Sequence, residues 1–121
     1  VNPLIIAITS IALSVAAQFS LKAGMSGEAV RAVLARPLGF GSLVSVLTDK
    51  YVFLGFLLYG VGAVVWLGVL SKWDVSKAYP LVGLGFVLTV AIGFLVGEEV
   101  TLTRAMGVAL ICAGVFVVGR S

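Results

Sequence analysis

Residues 3–25 read PLIIAITSIALSVAAQFSLKAGM, a run whose only formal charge is Lys22. Crossing the hydrocarbon core of a bilayer takes a helix of about 20 apolar residues, so this run is long enough to span. Asn2-Pro3 opens it, with proline at a helix start, where its missing N–H is not needed. The run has neither a basic leader nor a small-residue cleavage site, and it is expected to be a retained span rather than a signal peptide.

Working outward, three similar runs follow, and the spans are expected at about 3–25, 49–72, 76–97 and 101–119. Of the 121 residues, 61% are hydrophobic and 11% charged, against about 45–50% and 25% in soluble domains. A small domain leaves much of its surface in water and could not hide that much apolar side chain. This composition excludes a soluble globular domain, a disordered chain and a nucleic-acid-binding module. Four spans use about 80 residues and leave about 40, too few for a fifth with its loops. The fold class expected is an all-α integral membrane protein, a single four-helix up-down bundle. Short links make spans two, three and four expected antiparallel neighbours.

Residues 26–48 are too many for a tight link. Ala29, Val30, Val33 and Leu34 recur at helical spacing, with Glu28, Arg31 and Arg36 offset, and Pro37-Leu38-Gly39 breaks the pattern. A short amphipathic helix in the interface is expected here, followed by a second short segment. Outside span one, which holds Lys22, the basic residues divide three (Lys72, Lys77, Arg120) against four (Arg31, Arg36, Lys50, Arg104) between the two faces, so the positive-inside rule sets no clear orientation. There is no histidine, and the one cysteine, Cys112, lies in an apolar run. No metal cluster, cofactor motif, P-loop or nucleophile–base pair is present in the sequence, so neither an enzyme nor a bound cofactor is expected.

Several residues are out of place in lipid. Ser14, Gln18 and Lys22 are spaced i, i+4, i+8 and share one helix face, which Ser10 continues. An unpaired amide facing lipid costs several kcal/mol, on the order of the hydrocarbon transfer cost, so the stripe is expected to face protein or a polar cavity. A plainer alternative has Gln18 bonding a neighbouring helix and Lys22 snorkelling to the headgroups. Trp66 lies well inside span two, although membrane tryptophans favour the interface, and Tyr59 is on nearly the same face. In Trp73-Asp74-Val75-Ser76-Lys77-Ala78-Tyr79-Pro80, Asp74 is expected to cap span three. Lys77 adds a cation there, and Pro80 is expected to disturb the helix. Glu98 or Glu99 is expected to pair with Arg104. In span four, Ala105, Ala109 and Ala113, with Gly107 and Gly114, have the spacing of a close helix–helix contact and suggest self-association.

The runs Ser14-Val-Ala-Ala-Gln-Phe-Ser-Leu-Lys22, Trp66 with Leu70, Val75-Ser-Lys-Ala-Tyr-Pro80, and Gly97-Glu98 followed by Gly107-Val-Ala-Leu-Ile-Cys-Ala-Gly-Val115 together resemble one known group. They are similar to the small four-helix EamA-like members of the drug/metabolite transporter superfamily. Within it the likeness is greatest to the paired subunits that flip undecaprenyl phosphate-linked aminoarabinose across the bacterial inner membrane. The small multidrug resistance family is a more distant relative.

The resemblance implies a homodimer, or a heterodimer with a paralogue, surrounded by membrane lipids. Its cargo would be a polyprenyl phosphate-linked sugar. Gln18, Lys22, Trp66, Lys77 and Tyr79 would face the cavity or its mouth, and Glu98 would belong to the Gly-Glu motif of the family. The multidrug family carries a glutamate in the middle of span one, where this sequence has Ser14 and no acid anywhere in the span. That departure argues against proton-coupled cation export. The alternatives are an exporter of small metabolites or organic cations, and a non-transporting accessory subunit.

Overall fold

The structure is a computed structural model and describes residues 2–121. Four helical spans cross the molecule: α1 (Pro3–Met25), α4 (Lys50–Leu70), a third that begins as α5 (Val75–Ala78) and continues as α6 (Gly83–Leu95), and α7 (Leu102–Arg120). All four have the length and apolar composition of membrane spans. Between α1 and α4 lie two short helices, α2 (Glu28–Leu34) and α3 (Phe40–Leu47). This is the all-α four-span architecture expected from composition. The residues of the long connection fold into the two expected short segments.

Side chains define the helix ends. Asn2 Oδ1 accepts the Leu4 N–H at 2.9 Å, with Pro3 as the first residue of α1. The Asp49 carboxylate accepts the N–H groups of Tyr51 and Val52 at 3.1 and 3.2 Å, satisfying two of the free donors at the start of α4. Thr101 Oγ1 takes the Arg104 N–H at the start of α7. Asp74 occupies the corresponding place before α5, but its side chain makes no capping bond, contrary to expectation. At the far end of α6, Gly97 has φ of +95°. Its N–H goes to the Phe94 carbonyl, and the Glu98 N–H goes to the Gly93 carbonyl at 2.8 Å. That pattern closes a helix through a left-handed residue, a conformation glycine adopts without a Cβ penalty.

The third span is not one α-helix. Tyr79–Val82 form a 3₁₀ turn, with Pro80 in its first positions. Proline offers no N–H to the preceding turn, and the tighter 3₁₀ winding absorbs the interruption.

The helices do not pack in chain order. α1 is central: it lies along α4 on one side and against α6 on the other, while α7 packs on α6. The expectation that spans two and three would be neighbours is corrected here. Short links hold their ends together, but α6 packs on α1 and α7 rather than on α4.

The α1–α4 seam runs antiparallel and is built on small residues. A Cβ placed on Gly24 would lie 2.5 Å from Val52 Cγ2 and one on Gly55 2.7 Å from the Leu21 side chain. Further along the seam, a Cβ on Gly62 would sit 3.3 Å from Leu13 Cβ. Absence of side chains at these positions lets the backbones approach closely, a frequent basis of helix association in lipid. Two hydroxyls bridge the same seam, Ser10 Oγ to the Gly62 carbonyl and Ser20 Oγ to the Tyr51 carbonyl, both at 2.7 Å.

The apolar core gathers toward the edge where α1 begins. Ala7, Ile11 and Val15 of α1 meet Val69, Ala78, Leu81 and Val115 there. Elsewhere the outer faces carry exposed Phe53, Leu110 and Phe116, as expected of helices surrounded by acyl chains.

Candidate functional site

Because α4 and α6 flank α1 without closing on each other, a groove of about 470 Å³ remains between them. Ser10, Ile11, Ser14, Val15 and Gln18 of α1 form its floor. Tyr59, Gly62, Ala63, Trp66 and Leu67 form one wall, and Tyr79, Val82, Gly85, Phe86 and Thr89 the other. The size falls in the range of about 300–1,000 Å³ usual for small-molecule sites.

Two local features hold the groove open. A Cβ on Gly85 would lie 3.0 Å from Ile11 Cγ2, so the glycine lets α6 sit low against α1. Ser10 is buried, and its hydroxyl is committed to the Gly62 carbonyl, which pins the floor to the α4 wall. Above this level the walls carry aromatic rings. Tyr59, Leu67, Tyr79 and Phe86 line the groove yet are 46%, 62%, 65% and 52% exposed. It is therefore a trough open along one side, at the depth of the spans.

The chemistry of the lining is neutral. Its polar groups are the hydroxyls of Ser10, Ser14, Tyr59, Tyr79 and Thr89, the Gln18 amide and the Trp66 N–H, with no formally charged side chain among them. Faces of Tyr59, Trp66, Tyr79 and Phe86 supply π-surface, suited to a sugar ring or an ammonium group.

Of the residues singled out in the sequence, Ser14, Gln18, Trp66 and Tyr79 come together in this groove. Lys22 and Lys77 do not line it. Lys22 lies one helical turn beyond Gln18 and is exposed. Lys77 is half-buried in α5, with its Nζ 4.8 Å from the centre of the Trp73 ring. Pro80 is in the 3₁₀ turn beneath the Tyr79 wall.

Arg104 does not reach a carboxylate as expected. Its Nη1 donates to the Glu99 backbone carbonyl at 2.8 Å, because the bend after Gly97 turns that carbonyl toward the first turn of α7. Glu98 instead lies over Gly93, where a Cβ would come 2.9 Å from its Oε1.

The small residues of α7 stand apart from the groove. Ala105, Ala109 and Ala113 are exposed, and a Cβ on Gly107 or Gly114 would meet nothing within 4 Å. Gly107 is about half a turn round the helix from Ala105, so the alanines and glycines occupy two different sides of α7.

Phe86 and Thr89 were missed in the sequence. They follow Val82 at i+4 and i+7, one helical face, but in a span where nearly every residue is apolar that spacing does not stand out.

The chain is similar to a set of bacterial proteins that share one name. The chain is 39% identical over 82 residues to the probable 4-amino-4-deoxy-L-arabinose-phosphoundecaprenol flippase subunit ArnE of Pseudomonas savastanoi pv. phaseolicola, covering 67% of this chain and 72% of that protein. It is 41% identical over 72 residues to the protein of that name from Pseudomonas syringae pv. syringae, covering 59% and 67% respectively. With the like-named protein of Erwinia tasmaniensis it shares 44% over 64 residues, covering 52% and 59%. No family model matches the chain, and no solved structure matches it.

Proposed function

The chain belongs to the family of ArnE flippase subunits, and from that premise we propose that its groove carries the head group of a polyprenyl phosphate-linked amino sugar from one leaflet to the other. It is a multi-pass protein of the bacterial inner membrane. The names of its relatives specify an amino-arabinose joined through phosphate to undecaprenol. Such a head group carries one negative charge on the phosphodiester and one positive charge on the amine, for a net charge near zero.

The observation that carries the reading is the neutral trough, open sideways, at bilayer depth. A formally charged lining would hold one end of a zwitterion too strongly for it to leave. Hydroxyls, an amide and aromatic faces can replace the hydration of both ends without trapping either. The open side lets the polyprenyl chain stay among the lipid tails while only the sugar and phosphate enter. Moving the head through polar contacts avoids placing its charges in hydrocarbon. No bond is made or broken in this step, so the role is transport.

In this reading Ser14, Gln18, Trp66 and Tyr79 contact the head group. Pro80 and the 3₁₀ turn set the position of Tyr79, and Asp74, Glu98 and Arg104 shape the span ends. The second subunit packs on the exposed outer surface of α7, where Ala105, Ala109 and Ala113 permit close approach. Without a carboxylate, the lining offers a cation alone no neutralising charge.

The test is transbilayer movement of undecaprenyl phosphate-linked 4-amino-4-deoxy-L-arabinose in proteoliposomes holding the purified chain with the subunit that copurifies. The wild type is expected to move it, and Trp66→Ala to abolish movement while the protein still elutes as a folded species. Movement of a quaternary ammonium dye, with none of the lipid-linked sugar, would overturn the reading.

A further inference from the structure

The groove is neutral along its length, yet both of its ends point at a lysine. Lys22 follows Gln18 at i+4, so it extends the Ser14–Gln18 face by about 6 Å along the α1 axis. At the opposite end, Lys77 precedes the Tyr79 wall by two residues. From Ser10 to Gln18 the floor is about 12 Å long, less than half of a hydrocarbon core of ~30 Å. The two lysines lie beyond its two ends, toward opposite membrane surfaces.

Three of the other cations are already engaged. Lys50 sits over the Tyr51 ring, Arg120 over Phe116, and Arg104 is bonded to the Glu99 carbonyl. Lys77 is held only over the Trp73 ring, 4.8 Å from its centre. A cation–π contact at a partly exposed site is weaker than a charge-assisted bond to a phosphate oxygen. An arriving phosphate would therefore draw the ammonium off the ring.

We propose that Lys77 and Lys22 are two phosphate stations, one at each rim of the groove. They hold the phosphodiester of a lipid-linked sugar first in one leaflet and then in the other, while the sugar crosses the neutral lining between them. This rests on the transport reading above and adds to it two residues with separate tasks. A charge at each rim and none between them lets the phosphate be captured at either surface without being trapped midway. The span of the groove matches a short transit between stations rather than a continuous charged path.

The experiment uses right-side-out and inverted inner-membrane vesicles containing the whole assembly. Two probes are added from outside: farnesyl phosphate-linked 4-amino-4-deoxy-L-arabinose, and the farnesyl glycoside of the same sugar without phosphate. The readout is the probe concentration at half-maximal transbilayer movement. Lys77→Gln is expected to raise it about tenfold for the phosphate probe in one vesicle orientation and less than about twofold in the other, the size of one lost charge-assisted contact. Lys22→Gln is expected to show the opposite orientation dependence. Lys→Arg at either position is expected to restore wild-type behaviour, and the phosphate-free probe to respond to neither substitution.

Equal effects in both orientations, equal effects on the phosphate-free probe, or no effect in active vesicles would overturn the two stations and leave the transport reading standing. Wild-type vesicles that move neither probe would overturn both.

Discussion

α1 has two faces that meet the same neighbour in opposite ways. Toward the α4 seam it presents Ala17 and Gly24 and donates from Ser10 and Ser20, and the helices close to backbone contact. Toward the groove it presents Ser14 and Gln18, and α4 answers with Tyr59 and Trp66, which stand along an open wall. The hydrophobic effect cannot explain the difference, because lipid tails are as apolar as either face. Side-chain size decides it. Glycine opposite the seam permits contact, whereas larger aromatic residues stand opposite the polar stripe where the trough is open. A membrane protein of this length thus builds a rigid half and a working half from one central helix.

The contrast can be broken most sharply at the seam. In Gly24→Val the new Cβ would lie 2.8 Å from the Val52 backbone nitrogen as well as against its side chain. Backbone cannot shift as a flexible side chain can, and overpacking of this kind costs about 1–3 kcal/mol or more. The expected outcome is a large drop in the unfolding midpoint in detergent, or loss of folded protein. Wild-type stability would mean that the seam is looser than described.

A substitution in the groove should do the reverse. Gln18→Leu removes an exposed amide at bilayer depth, so stability is expected to hold or rise, while transport falls about tenfold, equivalent to ~1.4 kcal/mol in the barrier. Thermal unfolding and flux measured on the same preparation check both halves of that statement. A parallel loss of both would assign Gln18 to packing instead.

Ser10→Ala touches both regions, since its hydroxyl is the bond joining floor to wall. Interhelical hydrogen bonds in membranes average about 0.6 kcal/mol, so the expected loss of stability is small. Transport should fall more than stability does, because the wall loses its register on the floor. Flux and unfolding would separate the two.

The smallest effect on the fold is expected at α7. Gly114→Leu meets no neighbour within 4 Å, and the unfolding midpoint should stay unchanged, within about 0.5 kcal/mol. Mass measured in mild detergent would show whether the glycine side of α7 takes part in assembly. A changed mass assigns that side to a subunit contact, and an unchanged mass leaves the alanine side as the contact surface.

Parts of this arrangement were legible in the sequence for a physical reason. Spans are readable because the bilayer enforces their length and composition. Gln18 is readable because an amide in hydrocarbon needs an explanation. The order of packing was not readable: short links bring spans two and three together at one end, yet they do not specify that α1 will lie between α4 and α6. Gly55 and Gly62 are a heptad apart and carried a signal of close packing in span two. It is partly masked by the other glycines, which number 15 in the chain. The family resemblance implies that Lys77 faces the cavity or its mouth. Only side-chain geometry reveals that it rests on Trp73.

On the proposed route the sugar passes between α4 and α6 while the lipid chain remains outside. Photolabelling tests it most directly, with one lipid-linked sugar carrying a diazirine on the sugar and another carrying it on the polyprenyl chain. The sugar probe is expected to label Gln18, Trp66 and Tyr79, and the chain probe to label outward residues such as Phe53 and Leu110. Sugar labelling confined to those outward residues, with the groove left unlabelled, would contradict it.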